Sequence, residues 1–135
     1  MNGSTATASN TPKRILVVDD TPIVTETIQG MLMQFGHQVE TAQGGEDALA
    51  KFKPRKYDLV VTDYSMPKMN GIELAQAIKQ KAARQLVLLI TGFPFSVAAN
   101  DSPKLPVDFV MLKPFCSTEF ERALAVLFPV GAPAP

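Results

Sequence analysis

Asp19-Asp20, Asp63, Thr91 and Lys113 are the residues of this chain whose types could do chemistry together. Each follows directly on a short apolar run. Asp19-Asp20 follows Ile15-Leu16-Val17-Val18, and Asp63 follows Leu59-Val60-Val61-Thr62. Thr91-Gly92 follows Leu86-Val87-Leu88-Leu89-Ile90, and Lys113-Pro114 follows Phe109-Val110-Met111-Leu112. If the runs are parallel strands, these residues share one sheet edge, at the carboxyl ends, where open α/β folds bind ligands. Acids, a hydroxyl and an ammonium then converge. Two carboxylates about 4 Å apart repel by roughly 1 kcal/mol in water, and by about 4 kcal/mol at an effective dielectric near ~20, so the group calls for a cation. Hard oxygen ligands with open positions suit Mg²⁺, which keeps several waters and bridges to phosphoryl oxygens. A carboxylate in that setting can act as nucleophile toward phosphorus and form an aspartyl phosphate. The cation and Lys113 would balance charge on the equatorial oxygens.

The elements that must position this group are readable around it. The apolar runs are continuous rather than alternating, as expected of strands buried on both faces of a parallel sheet. A weaker strand, Gln38-Val39-Glu40-Thr41-Ala42, reads as an edge. Thr21 is placed to cap a first helix with Pro22 at its first position, and Val24, Ile28, Met31, Leu32 and Phe35 recur at helical spacing before Gly36 closes it. A short helix from about Glu46 to Phe52 turns Ala48, Leu49 and Phe52 inward. Asn70 caps a third helix through Gln80 with Leu74, Ala75 and Ile78 buried. A last helix runs from near Ser117 or Thr118 to Phe128 on Phe120, Leu124 and Leu127. Alternating strands and helices imply a doubly wound α/β sandwich with right-handed crossovers and helices on both faces. One stretch breaks the rhythm. Pro94, Pro103 and Pro106 leave room for a helix of at most about two turns, Phe95 to Asn100, because an interior proline costs about 3 kcal/mol.

Composition narrows the function. At 135 residues the chain fits one domain, and a hydrophobic fraction of 46% supports a real core. Net charge is zero and basic residues do not cluster, which argues against direct nucleic-acid binding. The lone Cys116 excludes an intrachain disulfide and a cysteine zinc cluster, and the lone His37 excludes a multi-histidine metal site. No apolar run approaches the roughly 20 residues that span a bilayer, and the Ser/Thr/Ala/Asn-rich start lacks the apolar core of a secretory signal. The chain therefore reads as cytoplasmic and without a membrane partner. Residues 1–12 read as a disordered leader, 13–128 as the folded domain, and 129–135 as a disordered Pro/Ala-rich tail or linker.

The ordered set Ile15-Leu16-Val17-Val18-Asp19-Asp20, Asp63 with Met66-Pro67 and Asn70-Gly71, Thr91-Gly92, and Lys113-Pro114-Phe115 resembles the receiver domains of two-component response regulators. The resemblance covers about Lys13 to Phe128, and the order and spacing of the motifs make it specific. It implies a flavodoxin-like, five-stranded parallel sheet of order 2-1-3-4-5, as in chemotaxis receivers; the prolines of this chain make its fourth helix shortened or irregular. It implies Asp63 as phosphoacceptor, Asp20 as main Mg²⁺ ligand, Asp19 assisting through water and Ser65 through its backbone carbonyl. Mn²⁺ is a second ion that fits. Lys113 would bind a phosphoryl oxygen, Thr91 would turn its hydroxyl inward on activation, and the Lys113-Pro114 bond would be cis. The implied partners are a histidine kinase or histidine phosphotransfer protein, and a downstream protein or linked output domain. The chemistry is self-phosphorylation with slow autodephosphorylation, not turnover of a separate substrate.

Taken singly, these residues have plainer readings. Asp19, Asp20 and Asp63 alone read as loop and turn acids and Lys113 as a solvated lysine; their joint placement at strand ends argues for a site. His37 reads as a loop residue, Cys116 as a small neutral residue near a helix start, and Met66 and Met69 as packing residues. Gly44-Gly45 reads as a turn, since no Walker-type lysine follows. Two features depart from the family pattern. Receivers carry Tyr or Phe three residues before the lysine, where this chain has Val110, and the neighbouring Phe109 points to the opposite face. The proline-broken segment before it is the second, on the face that receivers commonly use for output or dimerisation; there Phe93 reads as core, and Phe95 reads equally as core or as part of an exposed patch. Both departures imply an intact phosphorylation site with an unusual readout. Two other function classes stay open. One is a haloacid-dehalogenase-type phosphatase, disfavoured by adjacent rather than D-x-D acids and by the lack of cap-domain length. The other is a receiver-fold interaction module whose regulation does not depend on phosphorylation.

Overall fold

The computed structural model describes residues 11–92 and 105–129. Phe93, Phe95 and the expected short helix Phe95 to Asn100 lie outside these residues, as do residues 1–10 and 130–135 of the expected leader and tail. The strands are β1 (Arg14–Val18), β2 (Gln38–Ala42), β3 (Leu59–Asp63), β4 (Leu86–Thr91) and β5 (Phe109–Leu112). The described helices are α1 (Pro22–Gln34), α2 (Gly45–Lys51), α3 (Gly71–Lys81) and α4 (Ser117–Leu127). All strands run parallel in the order β2-β1-β3-β4-β5, so the chain reverses direction across the sheet between β1 and β3, where such folds place their crevice.

The continuous apolar runs are explained by two cores, one on each face of the sheet. β3 is buried at every position. The pleat sends Ile15, Val17, Leu59, Val61, Leu88, Ile90 and Met111 toward α1 and α4, which supply Ile28, Leu32, Phe120 and Leu124. Leu16, Val18, Val60 and Val87 face α2 and α3, which supply Ala48, Leu74, Ala75 and Ile78. Each such aliphatic side chain contributes about 1.5–3 kcal/mol on burial, which fixes the layers firmly enough to hold a crowded polar edge. Met66 and Met69 pack against the second core, as the sequence implies.

Helix ends follow the sequence signals with two corrections. Gly36 takes φ +93 just past α1 and Asn70 forms a full capping box on α3, its Oδ1 accepting from the Glu73 amide at 2.8 Å while Glu73 Oε1 accepts from the Asn70 amide at 2.9 Å. Thr21 stands at the N-cap of α1, but its side chain makes no capping bond. Its carbonyl accepts the Val24 and Thr25 amides, at 3.0 and 3.2 Å. The glycine pair is not simply a turn: Gly44 turns at φ +114, and Gly45 is already the first residue of α2.

Charges at the amino edge of the sheet are structural. Asp58 accepts from the Arg14 amide at 2.9 Å and pairs with its guanidinium at 3.3 Å. Asp108 accepts from the Val87 amide at 2.9 Å and from Lys79 Nζ at 2.7 Å. His37 lies between elements as expected, yet it is buried, and its Nδ1 accepts from the Lys13 amide at 3.0 Å.

Candidate functional site

Strand register sets the expected residues side by side. Val18 pairs with Thr62, so Asp19 and Asp63 emerge from adjacent strands at the same level. Asp63 pairs with Ile90 and Thr91 with Leu112, which brings Thr91 and Lys113 to the same edge. The strand ends are tied together: the Tyr64 amide donates to the Ile90 carbonyl and the Lys113 amide to the Thr91 carbonyl, both at 2.8 Å. The Lys113-Pro114 peptide is cis.

Asp63 is 5% exposed and Thr91 is 1% exposed. Lys113 Nζ stands 2.7 Å from Asp63 Oδ1, with its own side chain reaching partly into solvent. Oδ1 itself is buried, and the Lys113 ammonium is its charge partner.

Asp19 is buried beside it, and burial raises its pKa from 3.8 to about 6. The Thr21 amide, which donates to Asp19 Oδ1 at 2.9 Å, opposes that rise, while the charges of Asp63 and Asp20 add to it. Asp20 and Ser65 are exposed, Asp20 directly after Asp19 and Ser65 in the loop after β3. Thus the structure joins Asp63 to Lys113 by contact and to Asp19 by charge.

The donor set fits a loosely held divalent ion. Among the described residues no three or more His, Cys, Asp or Glu side chains form a closed metal cage. Mg²⁺ needs none, since it usually binds one or two carboxylates and keeps its remaining waters or takes phosphate oxygens. Two adjoining carboxylates, one of them pushed toward protonation by burial and then by its charged neighbours, are what such an ion would relieve.

Residues around these side chains also shape the site. Asp19-Asp20-Thr21 closes an Asx-type turn, with the aspartate side chain bonding the amide two residues on, a signal present in the sequence. Gly71 donates its amide to the Tyr64 carbonyl at 2.9 Å and lies against the Asp63 backbone. On β5, Phe109 packs into the α1–α4 core as expected. Val110 is half-buried opposite Leu89, on the face that Thr91 shares. The departure from the usual aromatic therefore falls beside the threonine.

The response regulator receiver domain model matches residues 15–125. The alkaline phosphatase synthesis transcriptional regulatory protein PhoP of Bacillus subtilis is 35% identical over 116 residues, 85% of this chain and 48% of that protein. The sensor histidine kinase RcsC of Salmonella typhi is 33% identical over 121 residues, 87% of this chain and 12% of that protein. The chain thus spans less than half the length of these curated relatives. Among solved structures, the response regulator TrrA of Thermotoga maritima, in complex with Mg²⁺–BeF, superposes with a TM-score of 0.76 at 34% identity, covering 86% of this chain and 99% of that one. No described helix is long and apolar enough to cross a membrane. On this family match, supported by sheet order, strand-end acids and the lysine opposite Asp63, the chain belongs to the receiver domains of two-component response regulators.

Proposed function

We propose that this receiver takes a phosphoryl group onto Asp63 from a phosphohistidine, carried by a histidine kinase or a histidine phosphotransfer protein, and passes the signal to a downstream protein or linked domain. The observation that carries the reading is Asp63 itself. It is a buried carboxylate at the carboxyl end of β3, with Lys113 Nζ 2.7 Å from its Oδ1. In the transfer, an Asp63 oxygen bonds to phosphorus while the P–N bond to imidazole breaks, and the imidazole leaves and takes its proton from solvent. Lys113 would hold a phosphoryl oxygen, and the Thr91 hydroxyl would turn toward another. Mg²⁺ held by Asp19, Asp20, Asp63 and the Ser65 carbonyl, with Mn²⁺ as the other candidate, would neutralise phosphoryl charge. That the TrrA receiver was solved in complex with Mg²⁺–BeF supports Mg²⁺ as the ion here, and the kinase and regulator relatives support the donor and output classes.

The test is incubation with acetyl phosphate and Mg²⁺ followed by intact mass. A single phosphoryl adduct is expected, lost with chelator and lost in Asp63→Asn. Sustained turnover of a phosphomonoester would point instead to a phosphatase. Absence of any adduct would leave an interaction module.

A further inference from the structure

Gly71 stands apart from the other described glycines. A β-carbon built on Gly30, Gly36, Gly44 or Gly92 meets nothing within 4 Å. On Gly45 it meets Met69, with Sδ at 2.6 Å, a flexible side chain well able to move. On Gly71 it would run into the carbonyl oxygen of Asp63, with Leu89 Cδ1 at 2.7 Å and Tyr64 Cα at 3.0 Å behind it. Two of those neighbours are backbone, and one is the peptide of the phosphoacceptor itself.

Backbone freedom does not explain the glycine. The described glycines with positive φ are Gly36 and Gly44, so Gly71 has an ordinary helical start that any residue could take. Helix propensity would favour Ala over Gly. What glycine supplies is room. The Gly71 amide donates to the Tyr64 carbonyl at 2.9 Å, closing a loop that contains Ser65, and within it Lys68 takes φ +72 and the Met69 amide bonds the Pro67 carbonyl at 2.7 Å. The Asn70–Glu73 capping box fixes the first turn of α3 above that closure. The helix start is thus pressed onto the end of β3, and the strand end cannot shift sideways, because the Tyr64 amide is held by the Ile90 carbonyl.

We infer that Gly71 is a positioning residue for phosphoryl acceptance: its missing side chain lets the first turn of α3 seat directly on the Asp63 peptide, which sets the direction of the Asp63 carboxylate and of the Ser65 carbonyl. The inference rests on Asp63 as phosphoacceptor for its functional consequence, but not for its geometry. A β-carbon here must displace the peptide that carries the reacting carboxylate. A displacement on the order of 1 Å can cost about a hundredfold in rate when reacting atoms are aligned by their scaffold.

Three variants test it: Gly71→Ala, Gly45→Ala and the double variant Gly71→Ala/Leu89→Val. Each is measured for melting temperature, for the rate of adduct formation with acetyl phosphate and Mg²⁺, and for the ¹³C resonance of the Asp63 side-chain carboxyl in metal-free protein. Gly71→Ala should slow adduct formation by roughly tenfold to a hundredfold and move the Asp63 resonance. Gly45→Ala should do neither, whatever it costs in melting temperature. The double variant should regain melting temperature, since Leu89 can be trimmed, while rate and resonance stay displaced, since the Asp63 carbonyl cannot. Should Gly71→Ala fail to fold, the double variant carries the same comparison. Rate and resonance that simply follow melting temperature across the set would overturn the inference. A parental chain that forms no adduct would refute the phosphoacceptor reading, and the resonance would still decide the positioning.

Discussion

Replacing Asp19 with Asn should make the metal-free protein more stable, and increasingly so as pH rises. Asp19 is 3% exposed, and its pKa is raised from 3.8 to about 6, first by burial and then by the charges of Asp63 and Asp20, against the opposing Thr21 amide. An acid whose pKa is raised on folding binds its proton more tightly in the folded state. The group therefore costs stability as pH rises from 3.8 through about 6, and the cost is complete above that window. The gap corresponds to about 3 kcal/mol near pH ~7.5 and to about 1 kcal/mol near pH ~4.5. Asparagine keeps an Oδ1 acceptor for the Thr21 amide, which donates at 2.9 Å, so the substitution removes charge without orphaning that donor. The expected result is a gain larger by about 2 kcal/mol near pH ~7.5 than near pH ~4.5, read from urea unfolding with chelator present. Added Mg²⁺ should stabilise the parental chain more than the variant, because the ion binds only the folded site and Asn is a poorer ligand. A gain of equal size at both pH values, or a loss near neutral pH, would refute the picture of a crowded acidic edge.

Two further substitutions probe the frame around the site. His37 accepts the Lys13 amide through a neutral Nδ1 at 3.0 Å, and burial, with the Lys13 charge, lowers its pKa below 6.5. A base with a lowered pKa contributes stability above 6.5 that is lost as pH falls; His37→Gln should flatten that acid limb in urea unfolding, and an unchanged slope would contradict it. Asn70→Ala removes one arm of the α3 capping box and should cost about 1 kcal/mol of stability, seen as a lower urea midpoint at constant m.

Much of the fold was legible because its strands are buried on both faces and so appear as unbroken apolar runs. β5 spans Phe109–Leu112 as read, and β1, β3 and β4 differ by a single residue at one end. The site was legible because the residues just after those runs had to share an edge. What the sequence did not announce was the structural work of the other aspartates. Asp58 and Asp108 also flank strands, but they precede β3 and β5 and hold backbone amides with Arg14 and Lys79 beside them. Lying before a strand rather than at its end sets these structural acids apart from Asp19 and Asp63. His37 was hidden for a similar reason: its partner is the amide of Lys13, which no side-chain pattern announces. Gly71 was visible as a motif letter, yet its steric role depends on how closely α3 approaches β3, a tertiary distance. Val110 was readable from sequence, and the structure adds that it lies on the Thr91 face.

The central claim is that the carboxylate of Asp63 carries the phosphoryl group, and chemical trapping tests it most directly. Borohydride reduction of the acetyl-phosphate-treated protein converts an aspartyl phosphate to homoserine, which peptide mass mapping then locates. The account predicts homoserine at position 63 alone, dependent on a divalent cation and absent from Asp63→Asn. Modification at another residue, or retention of the adduct in Asp63→Asn, would contradict it.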